Sequence, residues 1–139
     1  MSHRASLIWT GDGVSFAGET GGGAKLSIGT SGDGKTVGPR PKELVALGLG
    51  ACSGGNLVTL MKKMRQQVER IEIEVEAEQA ESDPQVFTHV ITRYRLFGKS
   101  IDPARVKKAL EYIEEKYCGV LHMVNKTARI EYSFEIVEV

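Results

Sequence analysis

The chain has 139 residues, with 18 Lys and Arg balanced by 18 Asp and Glu, so its formal net charge is zero. Its basic residues are scattered, which argues against a partner read by charge, whether nucleic acid or an anionic membrane surface. The length suits one domain, residues 1–139, with a single core. No apolar run reads as a bilayer span, and Met1-Ser2-His3-Arg4 leads straight into a strand-like stretch, so the expectation is a cytoplasmic protein. In that compartment its two cysteines, Cys52 and Cys118, read as free thiols or a catalytic pair rather than a permanent disulfide.

Leu7-Ile8-Trp9, the turn signal Gly11-Asp12-Gly13 and Val14-Ser15-Phe16 predict a hairpin, and Ala24 to Ile28 a third strand. The stretch Gly29 to Gly38 has turn residues and few apolar ones, and reads as a mobile loop. It lacks the strand-before, helix-after setting of a phosphate cradle.

From Pro41, a favourable first helical residue, to about Met64 the chain reads as one long helix. Its middle, Val45 to Val58, is apolar nearly all round yet contains Gly48, Gly50, Gly54 and Gly55, each costing about 1 kcal/mol of helix propensity relative to Ala. Such a helix is expected to be central, with something packed very close to it.

Arg70 to Gln79 alternates Ile71, Ile73, Val75 and Ala77 with Glu72, Glu74, Glu76 and Glu78, the pattern of a half-buried antiparallel strand. Ser82-Asp83-Pro84 marks a turn, and Val86 to Phe97 returns as the partner. Pairing Val75 with Val90 sets Ile71 opposite Tyr94 inside, and Glu76 and Glu72 opposite His89 and Arg93 outside, which makes His89 and Arg93 pairing residues. Asp102 and Pro103 open a second helix with an apolar stripe of Val106, Ala109, Leu110, Ile113 and Tyr117, which Gly119 is expected to end in a left-handed conformation. A last strand runs from Thr127 to the C-terminus.

The chemistry of such a chain rests on its thiols. Cys52 lies about three turns into its helix, beyond reach of the helix dipole, beside Gly48, Leu49, Gly55 and Asn56 but no cation. Cys118, at a helix C-terminus near Glu114 and Glu115, is electrostatically the poorer nucleophile; exposed beside a glycine, it suits resolution of an oxidised partner. The bland alternative is that Cys52 is a small hydrophobe in the core. His122 with both cysteines has no paired ligand spacing, and no metal or cofactor is expected.

Pro41-x-Glu43-Leu44, the small-residue helix with Ala51-Cys52, the charged alternating strand pair and Cys118-Gly119-Val120 together resemble the OsmC/Ohr family (osmotically inducible protein C and organic hydroperoxide resistance proteins) over nearly the whole chain. The resemblance implies an α+β fold, two small antiparallel sheets around a long central cysteine-bearing helix, in an intertwined homodimer. It implies that Cys52 attacks an organic hydroperoxide, giving a sulfenic acid that Cys118 resolves to a disulfide, which a dithiol reductant reopens.

The chain departs from the family's peroxidases in the activating charges. Their glutamate directly follows the motif proline, where this chain has Lys42, with Glu43 one residue later and turned by about 100° on a helix. Their arginine from the N-terminal sheet has no counterpart in Val14 to Gly18. In this the chain resembles most the YhfA-like branch of the family. Arg40, Lys42 and Glu43, with Arg4 as a further cation, are therefore the candidates for activating the thiol or positioning substrate, and Leu44, Val45 and Leu47 for the apolar part of a substrate. Two functions follow as expectations: a thiol peroxidase in oxidative-stress defence, or a binding protein of the same fold that holds a small apolar ligand.

Overall fold

A computed structural model describes residues 1–139, in the order β1 (Ala5–Trp9), β2 (Val14–Thr20), β3 (Lys25–Thr30), α1 (Pro41–Lys63), β4 (Gln67–Gln79), β5 (Phe87–Lys99), α2 (Pro103–Tyr112), a π turn (Ile113–Tyr117), α3 (Gly119–Val124) and β6 (Arg129–Glu138). The chain divides into two compact units, Met1–Val45 and Ala46–Val139, and α1 runs from the first into the second. The fold class is the expected α+β, with two three-stranded sheets and one long helix.

The first unit holds the sheet β1-β2-β3, antiparallel throughout, with Trp9 paired to Phe16 and Phe16 to Ile28. Trp9 Nε1 donates to the Gly13 carbonyl at 3.1 Å and fastens the first turn. Leu7, Ile8 and Trp9 are all more than half exposed within the single chain. Residues 29–38 are not the loose loop their composition suggests. Ser31 N donates to Lys35 O, and Val37 N and Gly38 N both donate to Gly29 O. Gly29 itself has φ +96°, and a Cβ there would strike the Val14 carbonyl, so the turn residues build a tight structure instead of loosening the chain.

Arg40 is the N-cap of α1: its carbonyl accepts the first intrahelical bond, from Leu44 N. The Glu43 carboxylate reaches back to accept from Arg40 N at 2.8 Å and from Arg40 Nε at 3.2 Å, the return half of a capping box.

In the second unit the sheet order is β4-β5-β6. Its inner face presents Ile71, Ile73, Val75 and Ala77 on β4, buried Val90, Thr92, Tyr94 and Leu96 on β5, and Ile130, Tyr132, Phe134 and Ile136 on β6. The expected faces are right but the expected register is two residues off: Val75 pairs with Thr92 and Ile71 with Leu96. A shift of two preserves both faces of a strand, so face patterning alone does not choose between the registers. The outer partners change accordingly, with Arg93 bonded to Glu76 at 3.0 Å and His89 to Glu131 at 2.6 Å. Unlike the rest, β6 runs parallel to β5, as a strand reached through a helical crossover does, so this sheet is mixed and not the antiparallel one expected.

The four glycines of α1 separate into two pairs. A Cβ on Gly50 would lie 3.1 Å from Val75 Cγ2, and one on Gly54 would overlap Ile73 Cδ1, so these two let the helix lie close on β4. Gly48 and Gly55 face open space in the single chain, on a side shared with the exposed Leu47, Ala51 and Val58. The helix also corrects the expectation about spans. No charge stands between Glu43 and Lys62, and by length and composition α1 is long and apolar enough to cross a membrane, although about a third of its most apolar stretch is buried inside the chain. Glycines hide this from a search for large apolar side chains. Such a helix also fits the core of a protein whose bare side is covered by something else.

Asp102 caps α2 as expected, its Oδ1 accepting from Ala104 N at 2.9 Å. Val106, Ala109, Leu110 and Ile113 are buried, but Tyr117 is exposed. The cause is the π turn, in which Cys118 N donates to Ile113 O five residues back at 3.1 Å, taking Tyr117 off the stripe and Cys118 into the core. Gly119 is not a left-handed stop; it is the first residue of α3.

Candidate functional site

Cys52 is the twelfth residue of α1, about 16 Å from the helix start. It is half-buried, and the next residue, Ser53, is buried against the core. Cys118 is fully buried at the N-cap of α3, which corrects the expectation of an exposed thiol at a helix C-terminus. Both cysteines are free, and the Cys52 thiol is a close enough neighbour of Cys118 to raise its pKa. The fold thus brings together the two thiols that the sequence singles out, 66 positions apart in the chain.

Burial and three neighbouring groups set the state of Cys118. Burial pushes the thiol above its ordinary value, and the neighbouring Cys52 adds to the shift. Two donors oppose it: the Ser53 hydroxyl and the Leu121 amide, each 3.3 Å from Sγ. Burial, rather than Glu114 and Glu115, is therefore the leading reason that Cys118 resists ionisation, and both of those glutamates point outward.

Asn56 Nδ2 donates to the Cys52 carbonyl at 3.0 Å and to the Tyr117 carbonyl at 3.2 Å, tying the cysteine turn of α1 to the residue before Cys118. Tyr94, 4% exposed on the central strand, places its hydroxyl beside Ser53. Burial is the main cause that pushes its phenol up to about 12, with Ser53 opposing and Cys118, Tyr132 and Cys52 adding to the rise. An unfolded tyrosine ionises near 10, so between pH 10 and 12 the unfolded chain has already released a proton that the fold retains, and stability falls as pH rises through that window. The loss amounts to about 2 kcal/mol by pH 12. Tyr94→Phe is expected to flatten this alkaline fall relative to the parent; urea unfolding of both at pH 8 and pH 11 checks it, and an equal fall in the two would remove Tyr94 as its source.

Ser53 and Tyr94 were not among the residues chosen from the sequence. Tyr94 had a signal: a tyrosine on the apolar face of a central strand needs a partner for its hydroxyl. Ser53, a small polar residue in an otherwise apolar helix, offered a second. Arg40 and Glu43 are brought together as a helix cap, both well exposed, with Lys42 exposed between them. Val45 and Leu47 are exposed and Leu44 half-buried along α1. His122, on α3, is half-buried, and its Nε2 has no hydrogen-bond partner.

Residues 32–133 match the model of the OsmC-like protein family. Protein YhfA of Escherichia coli strain K12 is 33% identical over 135 residues, covering 96% of this chain and 98% of YhfA. Among solved structures, an OsmC-like protein from Mycoplasma pneumoniae superposes with a TM-score of 0.82 at 9% identity, covering 99% of this chain and 98% of that one. The organic hydroperoxide resistance protein OhrB of Bacillus subtilis does so with a TM-score of 0.66 at 18% identity, over 97% and 98% of the two chains. These two likenesses are of fold. The family match spans β4, β5 and both cysteines, and the YhfA match nearly the whole sequence; the chain belongs to the OsmC-like protein family.

Proposed function

We propose that the protein is a thiol-dependent peroxidase that reduces organic hydroperoxides, with Cys52 as the attacking residue and Cys118 as the resolving one. The observation that carries this reading is the pairing of two neighbouring free thiols, one half-buried and one fully buried, in a chain of the OsmC-like family. The name of the structurally similar OhrB supports organic hydroperoxides as the substrate class.

In the first step the Cys52 thiolate attacks the peroxide O–O bond; the distal oxygen stays on sulfur as a sulfenic acid, and the alkoxide leaves with a proton as the alcohol. Cys118 then displaces that oxygen as water, forming a disulfide. A dithiol reductant from outside the chain returns both thiols, taking the oxidising equivalents as its own disulfide. Leu44, Val45 and Leu47 supply apolar contact for the alkyl group. Arg40 and Lys42 precede Cys52 by about 15 Å or more along α1, so as candidate activating cations they act on the thiol of a second copy, and Glu43 sets the position of Arg40 through their shared hydrogen bonds.

The working form is a homodimer in which a second copy covers the bare side of α1. What supports this is the row of exposed Leu47, Ala51 and Val58 beside the open Gly48 and Gly55, an apolar face that a lone chain would leave to water. The test of function is peroxide consumption with a dithiol reductant: sustained turnover of cumene hydroperoxide is expected, and none with the fully reduced protein would rule the peroxidase out.

A further inference from the structure

Ser53 is a buried hydroxyl, 1% exposed, on a helix face that otherwise contributes Leu49, Leu57 and Met61 to the core. A serine hydroxyl has one proton to give, and it donates to Cys118 Sγ at 3.3 Å. The Tyr94 hydroxyl is its other polar neighbour, and Ser53 opposes the rise that burial imposes on that phenol. Two donors thus converge on one sulfur, the Ser53 O–H from α1 and the Leu121 amide from α3, each 3.3 Å from Cys118 Sγ. Two buried hydroxyls lose solvation that apolar side chains of similar shape would not, so packing alone does not account for the pair.

We infer that Ser53, with the Tyr94 hydroxyl beside it, is a positioning residue for the resolving step: its hydroxyl aims the Cys118 sulfur at Cys52 and donates to it as it gains negative charge. The inference rests on the peroxidase reading above. In this step the Cys118 S–H bond breaks, the S–S bond forms and the Cys52 S–O bond breaks; the proton and the departing hydroxide leave as one water, and the two sulfurs end at the same oxidation level. The sulfur that must attack is also the one that burial keeps protonated, so hydrogen bonds to its charged form are where a rate gain is available. The titratable groups around it are Cys52 from α1 and Tyr94 from β5, with Tyr132 from β6 acting on Tyr94.

The test uses the full chain with Ser53→Ala or Tyr94→Phe, mixed with one equivalent of cumene hydroperoxide. Loss of the Cys52 thiol and formation of the disulfide are followed separately by acid quench and mass spectrometry. Cys52 oxidation is expected at the parent rate in both variants. Disulfide formation is expected to slow by roughly ten- to a hundredfold in Ser53→Ala and by about threefold or more in Tyr94→Phe, with the pH midpoint of that step moved upward. Tyr94→Phe deletes a single oxygen and keeps the ring in the core, so it perturbs the Ser53 hydroxyl through its neighbour even where Ser53→Ala folds poorly. Disulfide formation at the parent rate with an unmoved midpoint, or equal slowing of both events, would overturn the assignment. Absence of Cys52 oxidation in the parent protein would instead overturn the peroxidase reading.

Discussion

Cys52→Ser is expected to lower hydroperoxide turnover by a thousandfold or more, on the order seen when a catalytic nucleophile is deleted, and Cys118→Ser to permit one reduction per chain and then stall. The asymmetry follows from the site. Cys52 is the half-buried member of the pair, and Cys118 is sealed in the core, so only Cys52 meets a substrate from outside. Once Cys52 is a sulfenic acid, the one other thiol of the chain, Cys118, already lies beside it. In the Cys118 variant that partner is missing, and the sulfenic acid accumulates and becomes trappable by dimedone. A single-turnover burst measured with the dithiol assay separates the two variants. Multiple turnover by Cys52→Ser would assign the chemistry elsewhere, and undiminished cycling by Cys118→Ser would remove the resolving role.

Val58→Arg is expected to convert a dimer into single chains. Val58 is 41% exposed, on the bare side of α1 beyond Leu47 and Ala51. On a lone chain this is a surface substitution, worth within about 0.5 kcal/mol of stability. Beneath a second copy it buries an unpaired charge at a cost of roughly 3 kcal/mol or more, which weakens association at least a hundredfold. Light scattering after size exclusion reads the result: the parent at twice the mass of one chain, the variant at the mass of one. Equal masses for both proteins would place the contact, if there is one, away from this face of α1.

The elements were legible where a period was long and unbroken. Thirteen-residue β4, with glutamates on one face and branched apolar residues on the other, could be nothing but a half-buried strand, and Pro41 and Gly-rich α1 were readable from Pro41's place and the apolar run behind it. The register of β4 and β5 was not, since slipping by two leaves every side chain on its face; turn and bulge geometry decide it. The parallel course of β6 was in principle readable, because the helices before it supply a crossover.

Of the site, the two cysteines were found from their strings, but their surroundings were not. The π turn that buries Cys118 breaks the helical period at Ile113, so extending the stripe to Tyr117 put the wrong residue in the core. Ser53 and Tyr94 meet only when α1 and β5 pack, a contact that no local pattern encodes. The pairing of Arg40 with Glu43 was local and therefore accessible: a glutamate at the third helical position is the return half of a capping box.

The most direct measurement is a stopped-flow titration of the fully reduced protein with cumene hydroperoxide and, separately, with hydrogen peroxide, counting thiols lost per peroxide consumed. A two-cysteine peroxidase loses two thiols per peroxide, Cys52 and Cys118 joined in one disulfide, and reacts faster with the organic substrate. Thiol loss no faster than that of free cysteine, with either peroxide, would contradict it and leave a small apolar ligand to be sought for this fold.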